Sequence, residues 1–227
     1  MWVVALLGMA TSFAESTLAQ VFKVRSADGI FRGGPAYYMQ RGLGLRGGSG
    51  LSRLGRIMGV VFAAMLVFSY GLIFPMVQSN TIALTLQEGH GVGTTVTAIA
   101  LMAITAPILL SGMRVVARVT EWLVPLMAVA YLGVVLVVII VSAPRVPGVL
   151  VDIVAGAFHL KAGLAGTAGG FFATFLNGTK RGLFSNEAGQ GSSPNGAATA
   201  DVAHPVTQGL IQALGVFIDT IVICTAT

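Results

Sequence analysis

Between Arg56 and Glu88 the chain carries no charged side chain, and the stretches 89–113 and 122–144 repeat the pattern. A helix crosses the hydrocarbon layer with about 20 mostly apolar residues, so each run is long enough to span a bilayer. Inside lipid every backbone N–H and C=O must be paired within the protein, which leaves helices or a closed barrel. Barrel strands alternate apolar and polar residues, whereas these runs are continuous. The expected fold class is therefore an all-α membrane protein. Of 227 residues, 55% are hydrophobic and 9% charged, against roughly a quarter charged in soluble domains. That leaves room for about six spans.

The segments that fit are 1–22, 57–86, 94–110, 119–141, an interrupted stretch 169–200, and 206–227, together one transmembrane domain. No charged region precedes Trp2 and no small-residue cleavage site follows, so the first segment reads as a span and not a signal peptide. Seven of the thirteen basic residues crowd into one loop: Lys23, Arg25, Arg32, Arg41, Arg46, Arg53 and Arg56, opposed only by Asp28. Basic residues near span ends resist translocation, which puts loop 23–56 on the cytoplasmic side of a multi-pass plasma-membrane chain. Contact with anionic lipid is the other use for these side chains. Arg114 and Arg118 mark a second inner loop, 111–120, and Glu88 lies in an outer loop, 87–93. The net charge of +5 is then topogenic, and no nucleic-acid partner is expected. Pro144, Pro147 and several glycines suggest a mixed connection to about Ala168. Apolar sequence at both ends, with an outer-side start, suggests a piece of a longer protein.

Polar residues inside spans cost a few kcal/mol when charged, so each needs a reason. Glu15, in Thr11-Ser12-Phe13-Ala14-Glu15-Ser16-Thr17, is read as a hydrogen bond to a neighbouring helix near the inner interface. In Phe74-Pro75-Met76-Val77-Gln78-Ser79-Asn80-Thr81, Pro75 removes a backbone hydrogen bond near Gly71, and the amides serve either a helix–helix contact or a substrate. Asp219 stands alone in the last span, as a cation or proton site or as a structural hydrogen bond. Residues 177–195, Asn-Gly-Thr-Lys-Arg-Gly-Leu-Phe-Ser-Asn-Glu-Ala-Gly-Gln-Gly-Ser-Ser-Pro-Asn, break an apolar run with small and polar groups. Helix-compatible sequence resumes at Gly196–Ala200. This is the pattern of a discontinuous helix, in which half-helix ends and unwound carbonyls hold charged ligands; an extramembrane loop between two short helices is the plainer reading. Glycines 182, 189 and 191 would permit the open backbone.

Other patterns carry nothing. Gly42-Leu43-Gly44-Leu45-Arg46-Gly47 fits G-x-G-x-x-G but follows no strand, and Asn177-Gly178-Thr179 is a sequon at membrane depth. His90, His159 and His204 lack metal-ligand spacing. Cys224, the single cysteine, excludes an internal disulfide. With no nucleophile–base set, no catalytic residue and no enzyme activity is expected.

Three stretches together carry a resemblance: Arg32-Gly33-Gly34-Pro35-Ala36-Tyr37-Tyr38-Met39, Gly182 through Ser192, and His204-Pro205-Val206-Thr207-Gln208-Gly209 through Phe217-Ile218-Asp219-Thr220. The chain resembles the alanine or glycine:cation symporter family (sodium:alanine symporters) of the amino acid-polyamine-organocation superfamily. The resemblance implies a leucine-transporter-like inverted-repeat fold, of which residues 1–227 would supply about helices two to seven, the sixth discontinuous. It also implies symport of a small neutral amino acid with sodium, or sometimes a proton, with sodium as coupling ion and no other cofactor. By resemblance, Phe74, Gln78, Asn80, Gly182, Ser185, Asn186 and Gly189 face the substrate, and Thr179, Asn186, Asp219 and Thr220 the cation. The competing class is an ion channel or non-transporting scaffold, with 177–195 as a re-entrant segment.

Overall fold

The computed structural model describes residues 1–27, 29–157 and 167–226; Asp28, His159 and the end of the expected connection before Ala168 lie largely outside them. Helices dominate: α1 (Trp2–Val21), α2 (Pro35–Arg46), α3 (Ser49–Phe68), α4 (Phe74–His90), α5 (Thr94–Leu110), α6 (Met113–Val141), α7 (Val146–Ala157), α8 (Thr167–Asn186), α9 (Ser192–Thr199), α10 (Pro205–Val216) and the short α11 (Cys224–Ala226). Four stretches are long and apolar enough to cross a membrane: Trp2–Val21, Ser49–His90, Val115–Val141 and Pro205–Ile223. The chain is a multi-pass membrane protein.

Two regions read from the sequence as connections contain further structure. The basic loop 23–56 folds into an antiparallel pair of two-residue strands, β1 (Val24–Arg25) and β2 (Phe31–Arg32), followed by α2 and the start of α3. The stretch after Pro144 forms α7, because Pro147 falls in the first turn of the helix, where a missing N–H costs nothing. The G-x-G-x-x-G residues lie at the end of α2, so they form no phosphate loop.

The packing divides the chain into two compact units, Met1–Ala63 with Val135–Thr227, and Ala64–Val134. In the second, α4 and α5 pack together around buried Ala83 and Thr97. The helix leading into α4 widens to a π-helical segment at Ser69–Ile73. Pro75 explains it: its ring cannot donate to the Gly71 carbonyl and clashes with a regular turn there, and a π-turn absorbs the mismatch. Tyr70 within the segment and Phe74 just after it stack, ring centroids 4.5 Å apart.

In the first unit α1 is the central helix. Ala5, Gly8, Ser12, Ser16, Ala19 and Gln20 are its buried positions, a stripe of small residues that lets neighbouring backbones approach closely. Helix α10 lies against it at Gly209, where a methyl group would come 2.9 Å from the Phe13 carbonyl oxygen and would collide with the Thr17 hydroxyl. Gly209→Ala therefore forces the two helices apart. The expected cost is roughly 1–3 kcal/mol, read as a lower melting temperature of the detergent-solubilised full-length protein. Helices α2 and α3 are equally close, with Gly55 and Gly59 against the Met39 and Ala36 carbonyls.

Candidate functional site

Helix α8 ends at Asn186 and α9 begins at Ser192. Between them the backbone turns through three left-handed residues, Glu187 (φ 53°), Gly189 (φ 82°) and Gly191 (φ 81°). The break thus starts ten residues later than the first polar residue, Asn177, suggests. Gly178 and Gly182 do not open the helix; they thin it, since a methyl on Gly182 would meet Val4 of α1 at 3.1 Å. Gly182 is a packing glycine inside α8. The non-glycine Glu187 takes the first strained position instead, at a cost of order 1–3 kcal/mol, and its carboxylate accepts from the Ser192 hydroxyl at 2.5 Å.

The freed backbone groups have identifiable partners. Glu187 N–H closes α8 on the Leu183 carbonyl (3.1 Å), which also accepts from the Gln190 side-chain amide (2.7 Å). Ala188 N–H donates to Asn186 Oδ1 (3.0 Å), and Gly189 N–H donates to Glu15 Oε2 of α1 (3.2 Å). The hydrogen bond expected of Glu15 is present, but its partner is the turn between α8 and α9 and not a helix. Gly8 makes the approach possible, since a side chain there would press on Ala188 and Asn186. Among the described residues no side chain caps the N-terminus of α9.

From Asn186 a directed set of hydrogen bonds runs into the last helix. Its Nδ2 donates to Thr220 Oγ1 (3.1 Å), Thr220 Oγ1 donates to Asp219 Oδ2 (3.1 Å), and Ser185 Oγ donates to that same oxygen (2.5 Å). The Ser185 hydroxyl also lies 3.1 Å from the Cys224 sulfur. Thr220 is fully buried and Asn186 nearly so. Asp219 and Thr220 fall in a second π-helical segment, Phe217–Ile223, which alters the register of the helix at a polar site. Ser185, Asn186, Asp219 and Thr220 are thus one cluster of hydroxyl, amide and carboxylate groups, the hard oxygen donors that suit a small cation.

Other residues singled out from the sequence are elsewhere. Thr179 sits two turns before Asn186 on α8, a rise of about 10 Å, outside the cluster. Phe74, Gln78 and Asn80 belong to the second unit. Phe74 and Gln78 are four apart on α4 and share a face, whereas Asn80, two residues beyond Gln78, points away from it. His204 is an N-cap: its Nδ1 accepts from Val206 N–H at 3.3 Å.

Gln20, which the sequence reading passed over, and Lys23, read there only as part of the basic inner loop, also reach the broken helix. A glutamine on the same stripe as Gly8, Ser12 and Ser16 was the available signal, since a polar side chain among small buried ones needs a partner. The glycines of Arg32-Gly33-Gly34-Pro35 pack here too: a methyl on Gly33 would meet Ala198 of α9 at 2.6 Å, and one on Gly34 would collide with Asn195.

The sequence model of the sodium:alanine symporter family matches residues 1–227. The chain is 49% identical over its whole length to the amino-acid carrier protein AlsT of Bacillus subtilis, covering 46% of that protein. It is 45% identical to the probable sodium/glutamine symporter GlnT of the same organism, covering 45% of it. It is 38% identical to the sodium/alanine symporter AgcS of Methanococcus maripaludis, covering 48% of it. The chain spans about half the length of the curated relatives it matches. With the family model matched from the first residue to the last, the chain belongs to the sodium:alanine symporter family.

Proposed function

We propose that the chain forms the central part of a symporter that carries small neutral amino acids such as alanine or glycine with sodium by alternating access. Its fold would be a leucine-transporter-like inverted repeat, of which it supplies about helices two to seven. The observation that carries this reading is the broken helix α8–α9, linked through Asn186 and Thr220 to the half-buried Asp219 carboxylate. An amino-acid zwitterion is expensive to desolvate, so both its charges need fixed partners at membrane depth. The first N–H groups of α9 and the positive end of its dipole face the substrate carboxylate in this reading. Ser185, Asn186, Asp219 and Thr220 offer oxygens to the sodium ion, and the negative charge of Asp219 offsets it. Ion binding at the cluster and substrate binding at the break share Asn186, which couples them: each ligand favours the geometry the other needs.

The test uses the full-length protein in sealed proteoliposomes. An inward sodium gradient should drive accumulation of labelled alanine or glycine above equilibrium, and collapsing the gradient should stop it. Uptake indifferent to both sodium and proton gradients overturns the proposal, and gradient-independent single-channel conductance without saturable uptake favours a channel.

A further inference from the structure

We propose that Gln20 and Lys23, at the end of α1, are positioning residues that hold α9 by its C-terminus and so help fix where its N-terminus points. The proposal rests on the reading of that N-terminus as a substrate contact, and it adds a part of the machinery remote from any ligand. Helix α9 is eight residues long, too short to be stable alone. Its N-terminal end follows the break and packs against Phe62 and Pro35 at Gly191, so its direction is set jointly from there and from the other end.

The contacts at that end are specific. Gln20 is buried, and its Nε2 donates to the carbonyls of Ala197 (2.5 Å) and Ala200 (2.9 Å). Lys23 Nζ donates to the Ala200 carbonyl at 2.8 Å. Both acceptors lie at the C-terminal end of α9, where carbonyls lack i+4 partners; Ala197 otherwise accepts from the N–H of Ala200, the residue that ends the helix, at 3.3 Å. The ammonium also places a positive charge at the negative end of the α9 dipole. Lys23 is itself held, its Nζ lying 4.0 Å from the centre of the Phe31 ring in β2. The hairpin and the Gly33-Gly34-Pro35 turn that follows then close over α9, with Gly33 between Ala198 and the Ala19 carbonyl and Pro35 against Gly191. The sequence motif at residues 32–35 thereby has a use: it brings a strap tightly across the short half-helix. Neither Gln20 nor Lys23 makes a hydrogen bond to the Ser185–Asn186–Asp219–Thr220 cluster.

That separation makes the proposal testable in the full-length protein. Lys23→Met and Gln20→Leu should raise the KM for alanine about tenfold, the equivalent of one lost hydrogen bond to a charged or buried group. Sodium-dependent thermal stabilisation, measured without amino acid, should stay as in the wild type. Lys23→Arg keeps a donor and a cation over the ring and should restore the KM. Hydrogen exchange of the 192–200 peptide should quicken in Lys23→Met and not in Lys23→Arg. Unchanged KM and unchanged exchange in a normally melting Lys23→Met protein overturn the inference, as does an Arg variant as impaired as the Met variant. Wild-type protein that shows no saturable amino-acid uptake instead overturns the functional reading, and the exchange measurement still decides whether Lys23 holds α9.

Discussion

Asn186→Ala should abolish sodium-driven amino-acid uptake by the full-length protein while leaving it in the membrane. The asparagine does two jobs at once: its oxygen accepts from Ala188 N–H inside the break, and its nitrogen donates to Thr220 in the other helix. Alanine does neither. Removing it strands a buried amide and takes away a donor, each worth about 1–3 kcal/mol when the site is closed to water. Together these predict a loss of about a hundredfold or more in uptake rate at fixed substrate. Asn186→Asp separates the two jobs, because a carboxylate still accepts from Ala188 but cannot donate to Thr220, and it adds a second negative charge next to Asp219. Its expected signature is a changed sodium dependence. Thr220→Val removes both the acceptor for Asn186 Nδ2 and the donor to Asp219 but leaves Asn186 bonded to Ala188 N–H inside the break, and should be milder, about tenfold. Uptake kinetics and sodium titration in proteoliposomes distinguish these outcomes. An Asn186→Ala protein with wild-type KM and sodium dependence would make the asparagine a packing residue and remove the proposed coupling.

The contrast between Asn186 and Gly182 shows what the sequence could and could not reveal. Long uncharged runs announce helices because lipid offers the backbone no other partner, and Pro75 announces a local distortion because its ring cannot fit a regular turn; both follow from single-residue chemistry. The start of the break did not follow, because glycine has two uses that look alike in a sequence. Gly189 and Gly191 adopt positive φ, whereas Gly182 sits in an ordinary helix and is small only because Val4 is close. Only the packing partner tells them apart. Glu187, a non-glycine at positive φ, breaks the local rule in the way functional sites do. Asp219 was legible as a polar group in apolar surroundings and Ser185 as part of the polar stretch 177–195, but their pairing across 34 residues is a tertiary fact. Gln20 was hidden for the opposite reason: at the polar end of a span, one more amide attracts no notice. Asn80 was grouped with Gln78 by proximity in sequence, and helix geometry separates them.

Glu15→Leu should raise the KM for the amino acid and cut uptake by about tenfold or more, whereas Glu15→Gln should keep most of the activity. A carboxylate two thirds of the way along a spanning helix is costly, and the compensation seen here is one hydrogen bond to the Gly189 amide. That amide belongs to a left-handed glycine that cannot find a helical partner, so the acceptor must come from outside the broken helix. Glutamine offers a neutral oxygen at the same position and can accept the same bond; leucine fills similar volume and cannot. The comparison therefore isolates acceptance from size. It also tests charge, because Tyr38 of α2 feels the same group: burial first, and then the Glu15 carboxylate, push its phenol up to about 12. The Tyr38 hydroxyl is protonated throughout the physiological range, so its titration cannot create a pH dependence that would confuse the comparison. A Glu15→Leu protein with wild-type kinetics would show that Gly189 needs no partner. A Glu15→Gln protein as impaired as the leucine variant would show that the negative charge is what the break requires, beyond the hydrogen bond that both the acid and the amide can supply.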